Sequence, residues 1–88
     1  MTAVVWREAA YADLADIWVA ASPALRERIE PAVPELNARL RENAATDGKS
    51  RSDRNRVTFA GPLAVGYRYE PEDDVAVVGR VTLFERSR

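Results

Sequence analysis

The hydrophobic pattern of this 88-residue chain changes its period halfway along, from that of a helix to that of a strand. Between Ala10 and Leu40 the apolar residues recur every three or four positions, which is the period of an amphipathic helix. After Gly48 apolar and polar residues alternate instead, as they do in a half-buried strand. A short β-branched and aromatic segment, AVVW at residues 3–6, precedes the helical part and suits a first strand. The chain is therefore predicted to be α+β.

Two helices are predicted in the first half, joined by only a few residues. The first covers residues 8–21, and the second begins at Pro23, which fits the first helical position because its missing N–H would have no partner there. Pro31 and Pro34 interrupt the second apolar stripe, at a cost of about 3 kcal/mol each in a helix interior. We therefore expect a kink near Glu30, or a break after which one of these prolines begins a new helix. The short connection favours packing of the two helices as an antiparallel hairpin.

Three strands are predicted in the second half, over residues 56–60, 63–69 and 75–84. The dipeptide Gly61-Pro62 marks a turn between the first two, and the charged segment 70–74 marks a hairpin loop between the last two. Strands linked by short turns form an antiparallel meander, and the helices must then cover one face of the sheet. The predicted architecture is an N-terminal strand, a two-helix antiparallel hairpin and a three-stranded antiparallel meander, with the helices packed on one face of a four-stranded sheet.

Two arginines within these strands are candidate site residues. Arg68 alternates with the residues of the expected core face, which are Leu63, Val65, Tyr67 and Tyr69. Strict alternation puts Arg80 on the face of Val78 and Thr82, and the neighbouring Gly79 can mark a bulge or a close approach. Either the two arginines are separate exposed side chains, or they line the same open face as a phosphate-binding pair.

Cysteine and histidine are both absent, which excludes several classes of chemistry. Without them the chain lacks a thiol nucleophile, an imidazole base and the ordinary ligands of zinc, and its four glycines form no phosphate-binding loop. A catalytic acid or base would have to be a carboxylate, a tyrosine, Lys49 or a water held by arginine. We therefore expect no metal and no cofactor, and neither a conventional hydrolase nor a nucleotide-dependent enzyme.

The N-terminal residues and the short apolar runs favour a soluble, cytoplasmic protein. Residues 1–10 lack the basic region and apolar core of a signal peptide. The apolar runs are far shorter than the roughly 20 residues that a helix needs to span a bilayer. A membrane partner is therefore not expected.

A basic run lies where the helical period ends. Lys49, Arg51, Arg54 and Arg56 give residues 49–56 four basic residues against one acidic residue, although the whole chain carries a net charge of −1. Three interpretations stay open: a solvated loop before a strand, a contact with nucleic acid or the ribosome, and docking of an acidic partner segment. The basic footprint is small for a dedicated nucleic-acid-binding protein.

Three segments together resemble one known superfamily. They are VVWREAAYADLADIW leading into a helical hairpin, GKSR at the start of the basic run, and RVTFAGPLAVGYRYEPEDDVAVVGRV in the strands. The chain resembles the RelE/ParE superfamily, the toxin components of bacterial type II toxin–antitoxin systems, often described as plasmid-stabilisation proteins. The resemblance spans nearly the whole chain and implies one RelE/ParE-like domain over residues 1–88. It also implies a cognate antitoxin as partner, a small protein with an amphipathic segment.

The resemblance further implies a site on the sheet. In the ribosome-dependent nucleases of the superfamily, arginines and lysines on a concave sheet face grip mRNA and stabilise the charge that develops on the reacting phosphate. Carried onto this chain, the resemblance implies RNA or phosphate binding by Lys49, Arg51 and Arg54, and catalytic roles for Arg56, Arg68 and Arg80.

The sequence departs from the nuclease pattern at two places. Ala64 stands where the superfamily often has an arginine, and the C-terminal FERSR offers no histidine or tyrosine beyond the last strand. The expected function is a toxin-like component that binds its antitoxin and acts on ribosome-bound mRNA with a degenerate catalytic set, and whether it is an mRNA endoribonuclease stays open. The alternative is a non-catalytic protein-interaction domain on the same scaffold, with gyrase or another protein as its target.

Overall fold

The computed structural model of the chain describes residues 1–46, 49–52 and 54–84. Within these residues three helices and five strands follow one another, and the strands come mostly in the second half of the chain. The elements are β1 (Ala3–Trp6), α1 (Glu8–Ala20), α2 (Pro23–Ile29), α3 (Ala32–Asn43), β2 (Lys49–Ser52), β3 (Asn55–Ala60), β4 (Leu63–Glu70) and β5 (Val75–Leu83).

The described strands form one sheet in the order β1-β5-β4-β3-β2. Strands β3, β4 and β5 are an antiparallel meander, and β1 lies parallel to β5 at one edge. This confirms the predicted α+β architecture. The expectation of a four-stranded sheet is wrong, because residues Lys49–Ser52 of the basic run pair antiparallel with β3 as strand β2. The pairing satisfies backbone groups that β3 would otherwise expose, and charged residues are usual on an edge strand.

The second predicted helix is broken into α2 and α3. Helix α2 begins after Ser22, whose Oγ accepts a hydrogen bond of 3.1 Å from the N–H of Leu25. It ends at Ile29, and Pro31 occupies the N-cap position of α3. Pro34 falls in the first turn of α3, where the backbone N–H has no partner within the helix. The predicted break is thus confirmed, and each proline stands where its missing donor costs little.

The core lies between the helices and one face of the sheet. Its buried residues include Ala10, Ile29, Ala32, Leu36 and Leu40 from the helices and Leu63, Val65, Tyr67, Ala76, Val78 and Val81 from β4 and β5. Burial of each leucine or isoleucine contributes about 1.5–3 kcal/mol to the free energy of unfolding. The hydroxyl of Tyr67 donates a hydrogen bond of 2.7 Å to the carbonyl of Ala44, just after α3. The predicted core face of β4 is therefore the face on which the helices pack.

A bulge at Gly79 changes which residues of β5 face the helices. Gly66 pairs with Arg80 while the next residue, Tyr67, pairs with Val78, so Gly79 is an extra residue in β5. The alternation therefore reverses, and Val78 is buried whereas Arg80 is exposed. Strict alternation, which put Arg80 on the face of Val78, is wrong for this reason. The bulge that Gly79 suggested is confirmed.

The turn between β4 and β5 is fastened to the N-terminal segment through Asp74. This residue has a positive φ of 50°, and its Oδ1 accepts hydrogen bonds from the Thr2 hydroxyl at 2.6 Å and the Tyr69 hydroxyl at 3.0 Å. The two hydrogen bonds lower the pKa of Asp74. The hydrogen bond between the Tyr69 hydroxyl and Asp74 also raises the pKa of Tyr69. None of the described helices is long and apolar enough to cross a membrane.

Candidate functional site

The face of the sheet that the helices leave uncovered carries a groove of about 340 Å³. Its polar side is formed by cations on β4, on β5 and directly after β1, with Gly66 and Gly79 between them. We call it the arginine groove and define it by Arg7, Gly66, Arg68, Gly79 and Arg80. Because Gly66 and Gly79 have no side chains, they leave room between the arginines for a ligand.

Arg80 stands on β5 directly opposite Gly66 and is held in place by Asp13 of α1. Its Nε lies 3.3 Å from Oδ2 of Asp13, and the same oxygen accepts a hydrogen bond of 2.9 Å from the N–H of Val81. Pairing of β1 with β5 ends at Val78, so Asp13 occupies the edge of β5 that β1 does not cover. The side chain of Arg80 nevertheless stays 74% exposed, and a ligand in the groove can reach it.

Arg68 lies on β4 in the next row of the same face and forms an ion pair with Glu70. Its Nε is 2.5 Å from Oε2 of Glu70, whose other oxygen lies 2.9 Å from Nη1 of Arg54. Arg54 also pairs with Glu72 at 3.1 Å. Partial burial raises the pKa of Glu70, but hydrogen bonds and charge interactions with Arg68 and Arg54 outweigh it and leave the pKa below its ordinary value. Glu70 is thus an ionised bridge between two guanidinium groups at neutral pH.

Arg7 joins the groove from the end of β1 and was not among the predicted site residues. Its N–H donates a hydrogen bond of 2.9 Å to the carbonyl of Val78, which brings its side chain beside Gly79. Within the described part of the chain, no carboxylate lies within ion-pair distance of Arg7. The sequence signal is weak, because only the parallel pairing of β1 with β5, across some seventy residues, places Arg7 near Arg80.

The predicted site residues do not all come together. The groove includes Arg68 and Arg80, while Arg54 lies in the turn before β3 and reaches Arg68 only through Glu70. Arg56 borders the groove on β3, but it pairs with the buried Tyr67, and alternation assigns its side chain to the face on which the helices pack. The side chains of Lys49 and Arg51, together with the C-terminal residues 85–88, lie outside the described part of the chain.

The arrangement suits binding of a phosphate and stabilisation of negative charge. Guanidinium groups bind phosphate oxygens with paired hydrogen bonds, and cations near a reacting phosphate stabilise the charge that develops there. Among the described residues that line the groove, Tyr67 has the one titratable hydroxyl, and it is buried and donates to Ala44 on the opposite side of the sheet. No group of three or more metal-ligating side chains occurs among the described residues. The described lining of the groove therefore supplies positive charge, and the nearby carboxylates of Asp13 and Glu70 are engaged in ion pairs with Arg80 and Arg68.

A second surface feature lies on the other side of the molecule, between the helices. This helical groove, of about 410 Å³, is apolar and is lined by Leu14, Trp18, Val19, Ile29 and Val33, with Tyr11 at its rim. Tyr11 and Val19 are 59% and 75% exposed. An exposed apolar hollow of this kind is typical of a surface that binds another protein.

Comparison with solved structures identifies the architecture. The chain is similar to the chromosomal ParDE TA system from P. aeruginosa, at 19% identity and a TM-score of 0.70, over 97% of this chain and 98% of that one. It is similar to the isolated E. coli RelE toxin, at 19% identity and a TM-score of 0.64, over 100% of this chain and 89% of that one. A RelBE toxin–antitoxin complex from Mycobacterium tuberculosis matches at 21% identity and a TM-score of 0.65, over 93% of this chain and 90% of that one. No protein-family model matches the chain, and no curated protein sequence does either. The chain has the fold of the RelE and ParE toxins.

Proposed function

We propose that this chain is the toxin-like component of a toxin–antitoxin pair, that a cognate antitoxin is its partner, and that its arginine groove acts on ribosome-bound mRNA. One observation carries the proposal: an exposed groove that contains Arg7, Arg68 and Arg80 and is bordered by Arg56 lies on the open sheet face of a fold shared with the RelE and ParE toxins. The similarity to structures of toxin–antitoxin complexes supports the choice of partner.

The positions of the arginines support a polyphosphate ligand rather than a single small anion. Arg68 and Arg80 are diagonal neighbours on adjacent strands, which places their Cα atoms about 7–8 Å apart. Arg7 approaches from the other side of Gly79. Three separate cations around one hollow match the repeated negative charge of a nucleic-acid backbone, because each neutralised phosphate releases counterions and adds affinity.

The described residues of the groove predict slow cleavage of RNA. Charge stabilisation lowers the barrier to attack on phosphorus, whereas general acid–base catalysis contributes a further factor of about 10²–10⁴. Arg68 and Arg80 are also paired with carboxylates, which a phosphate must displace. We therefore expect growth inhibition by this chain to be weak.

Controlled expression in a sensitive bacterial host tests the proposal. We expect slowed growth, with mRNA cut at the ribosomal A site, and loss of both effects in the triple variant Arg7→Ala, Arg68→Ala and Arg80→Ala. Arg28→Ala is the matched control, because Arg28 is an exposed cation on α2, away from the groove. Co-expression of a small protein encoded beside the chain should restore growth. Normal growth at high soluble expression, or full toxicity of the triple variant, would contradict the proposal.

The helical groove favours a second candidate, a non-catalytic protein-interaction domain on the same scaffold. Its apolar lining and its distance from the arginines suit a protein target such as gyrase rather than RNA. The variant Val19→Glu separates the two candidates, because it places a charge in the helical groove and leaves the sheet face unchanged. Growth inhibition that is lost in Val19→Glu and kept in the triple arginine variant would support this second candidate.

A further inference from the structure

Two phenylalanines form an exposed pair at the end of the sheet next to the arginine groove. Phe59 and Phe84 are 49% and 47% exposed, and their ring centroids are 5.0 Å apart at an interplanar angle of 53°. Single exposed apolar residues are normal on a protein surface, but two large rings in contact are an apolar patch. We call this pair the aromatic patch.

The aromatic patch and the arginine groove share one face of the sheet. One row of paired residues crosses β3, β4 and β5 through Phe59, Ala64 and Thr82. The next row on the same face crosses these strands through Val57, Gly66 and Arg80. Two residues along a strand separate the two rows, which is about 7 Å. The small side chain of Ala64 leaves space on the strand between the two rings.

The backbone beneath the aromatic patch is well supported. Arg39 of α3 donates hydrogen bonds to the carbonyl of Phe59 at 2.5 Å and to the hydroxyl of Thr58 at 3.1 Å. On the other side, the N–H of Phe84 donates to the carbonyl of Pro62 at 2.6 Å. Phe59 lies on β3, and Phe84, directly after β5, is hydrogen-bonded to the turn before β4, so both rings are attached to hydrogen-bonded backbone.

Flat apolar rings beside a row of cations are the combination that single-stranded nucleic acid needs. Bases that are not stacked within a duplex stack on aromatic side chains, and the phosphates between them bind arginine. A duplex offers its phosphates but keeps its base faces covered. Since the proposed function already places mRNA in the arginine groove, we infer that the aromatic patch stacks a base of that single strand while the adjoining phosphates lie in the groove. The choice of RNA rests on the proposed function.

Binding of purified protein to two probes tests the inference. The first is a fluorescently labelled oligouridylate, and the second is inorganic polyphosphate of similar charge, which has no bases. We expect Phe59→Ala to weaken oligouridylate binding by about 5- to 150-fold, the range for loss of one stacked base, and to change polyphosphate binding less than about twofold. Arg80→Ala should weaken both. Arg28→Ala, which removes an exposed cation on α2 outside both grooves, should change neither.

A second substitution keeps the test valid if Phe59→Ala lowers the yield of folded protein. Phe59→Leu retains apolar area but has no aromatic face, so it should weaken oligouridylate binding and leave polyphosphate binding unchanged. Oligouridylate affinity within about twofold of the original in both variants would overturn the inference and assign the rings to a protein partner. Equal losses for both probes would overturn it as well. These measurements use no toxicity, so a chain that stacks RNA on Phe59 but does not slow growth contradicts the proposed function alone.

Discussion

Replacing Glu70 by glutamine is expected to strengthen polyanion binding by the arginine groove. The carboxylate of Glu70 contacts Arg68 at 2.5 Å and Arg54 at 2.9 Å, so it competes with any phosphate that approaches either cation. Glutamine has the same shape without the negative charge. The substitution therefore removes the competitor of Arg68, whereas Arg54 keeps its second partner, Glu72.

The ion pairs determine how large the effect should be. For single strands, each phosphate neutralised by a cation contributes about −0.7 to the slope of log affinity against log salt concentration. Glu70→Gln releases Arg68 and should steepen the slope by about 0.7, whereas the double variant with Glu72→Gln also releases Arg54 and should steepen it by about 1.4. Between 50 and 200 mM salt these changes correspond to additional losses of affinity of about 2.6-fold and 7-fold. Glu72→Gln alone leaves both arginines paired with Glu70 and should not change the slope.

Fluorescence anisotropy with the labelled oligouridylate, repeated at several salt concentrations, measures these slopes directly. Glu27→Gln on α2 serves as the control for a change in net charge alone, because Glu27 is exposed on a different side of the molecule. Equal slopes for the original chain and Glu70→Gln would refute the reasoning. So would the same change in slope for Glu27→Gln, because it would show that net charge rather than the ion pairs controls binding.

Three further predictions concern stability. Gly61→Ala should lower the free energy of unfolding by about 2–4 kcal/mol in urea titrations, because residue 61 has a φ of +54° and a new Cβ would lie 3.1 and 3.2 Å from atoms of the helices. Gly66→Ala is its control and should change stability by less than about 1 kcal/mol, since the nearest contact would be 3.9 Å away; an equal loss in both would contradict the geometry. Tyr67→Phe should cost about 1–3 kcal/mol, because the buried carbonyl of Ala44 loses its donor, and an unchanged midpoint would show that water replaces the hydroxyl. The pKa of Glu70 is lower in the folded chain than its ordinary value of 4.5, so its ionised carboxylate stabilises the fold above pH 4.5. This stabilisation is lost as the pH falls through the folded pKa. The free energy of unfolding should therefore fall more steeply below pH 4.5 in the original chain than in Glu70→Gln.

The helices and the buried faces of the strands could be predicted where the spacing of neighbouring residues determines them. The helical period ended close to the observed end of α1, at Ala20, and the prolines predicted the break before α3. The alternation along β4 identified the residues that face the helices, and Arg68 on the other face followed from it. These features depend on residues close together in the chain, whose spacing is visible in the sequence.

The site could not be predicted to the same extent, because it depends on pairing between distant residues. One extra residue in β5, Gly79, moves Arg80 to the opposite face, and a glycine in a strand only suggests such a bulge. Arg7 reaches the groove because β1 lies parallel to β5, a pairing that no local pattern specifies. Strand β2 was missed for a related reason, since a polar, charged run becomes a strand only when an edge such as that of β3 is available.

An NMR titration of the ¹⁵N-labelled chain with oligouridylate tests most directly whether the open sheet face is the binding surface. We predict progressive shifts of the backbone amides of Gly66, Gly79 and Arg80, with little change at Leu14 and Trp18 in the helical groove. Shifts concentrated at Leu14 and Trp18, or no shifts at oligonucleotide concentrations that saturate binding, would contradict it.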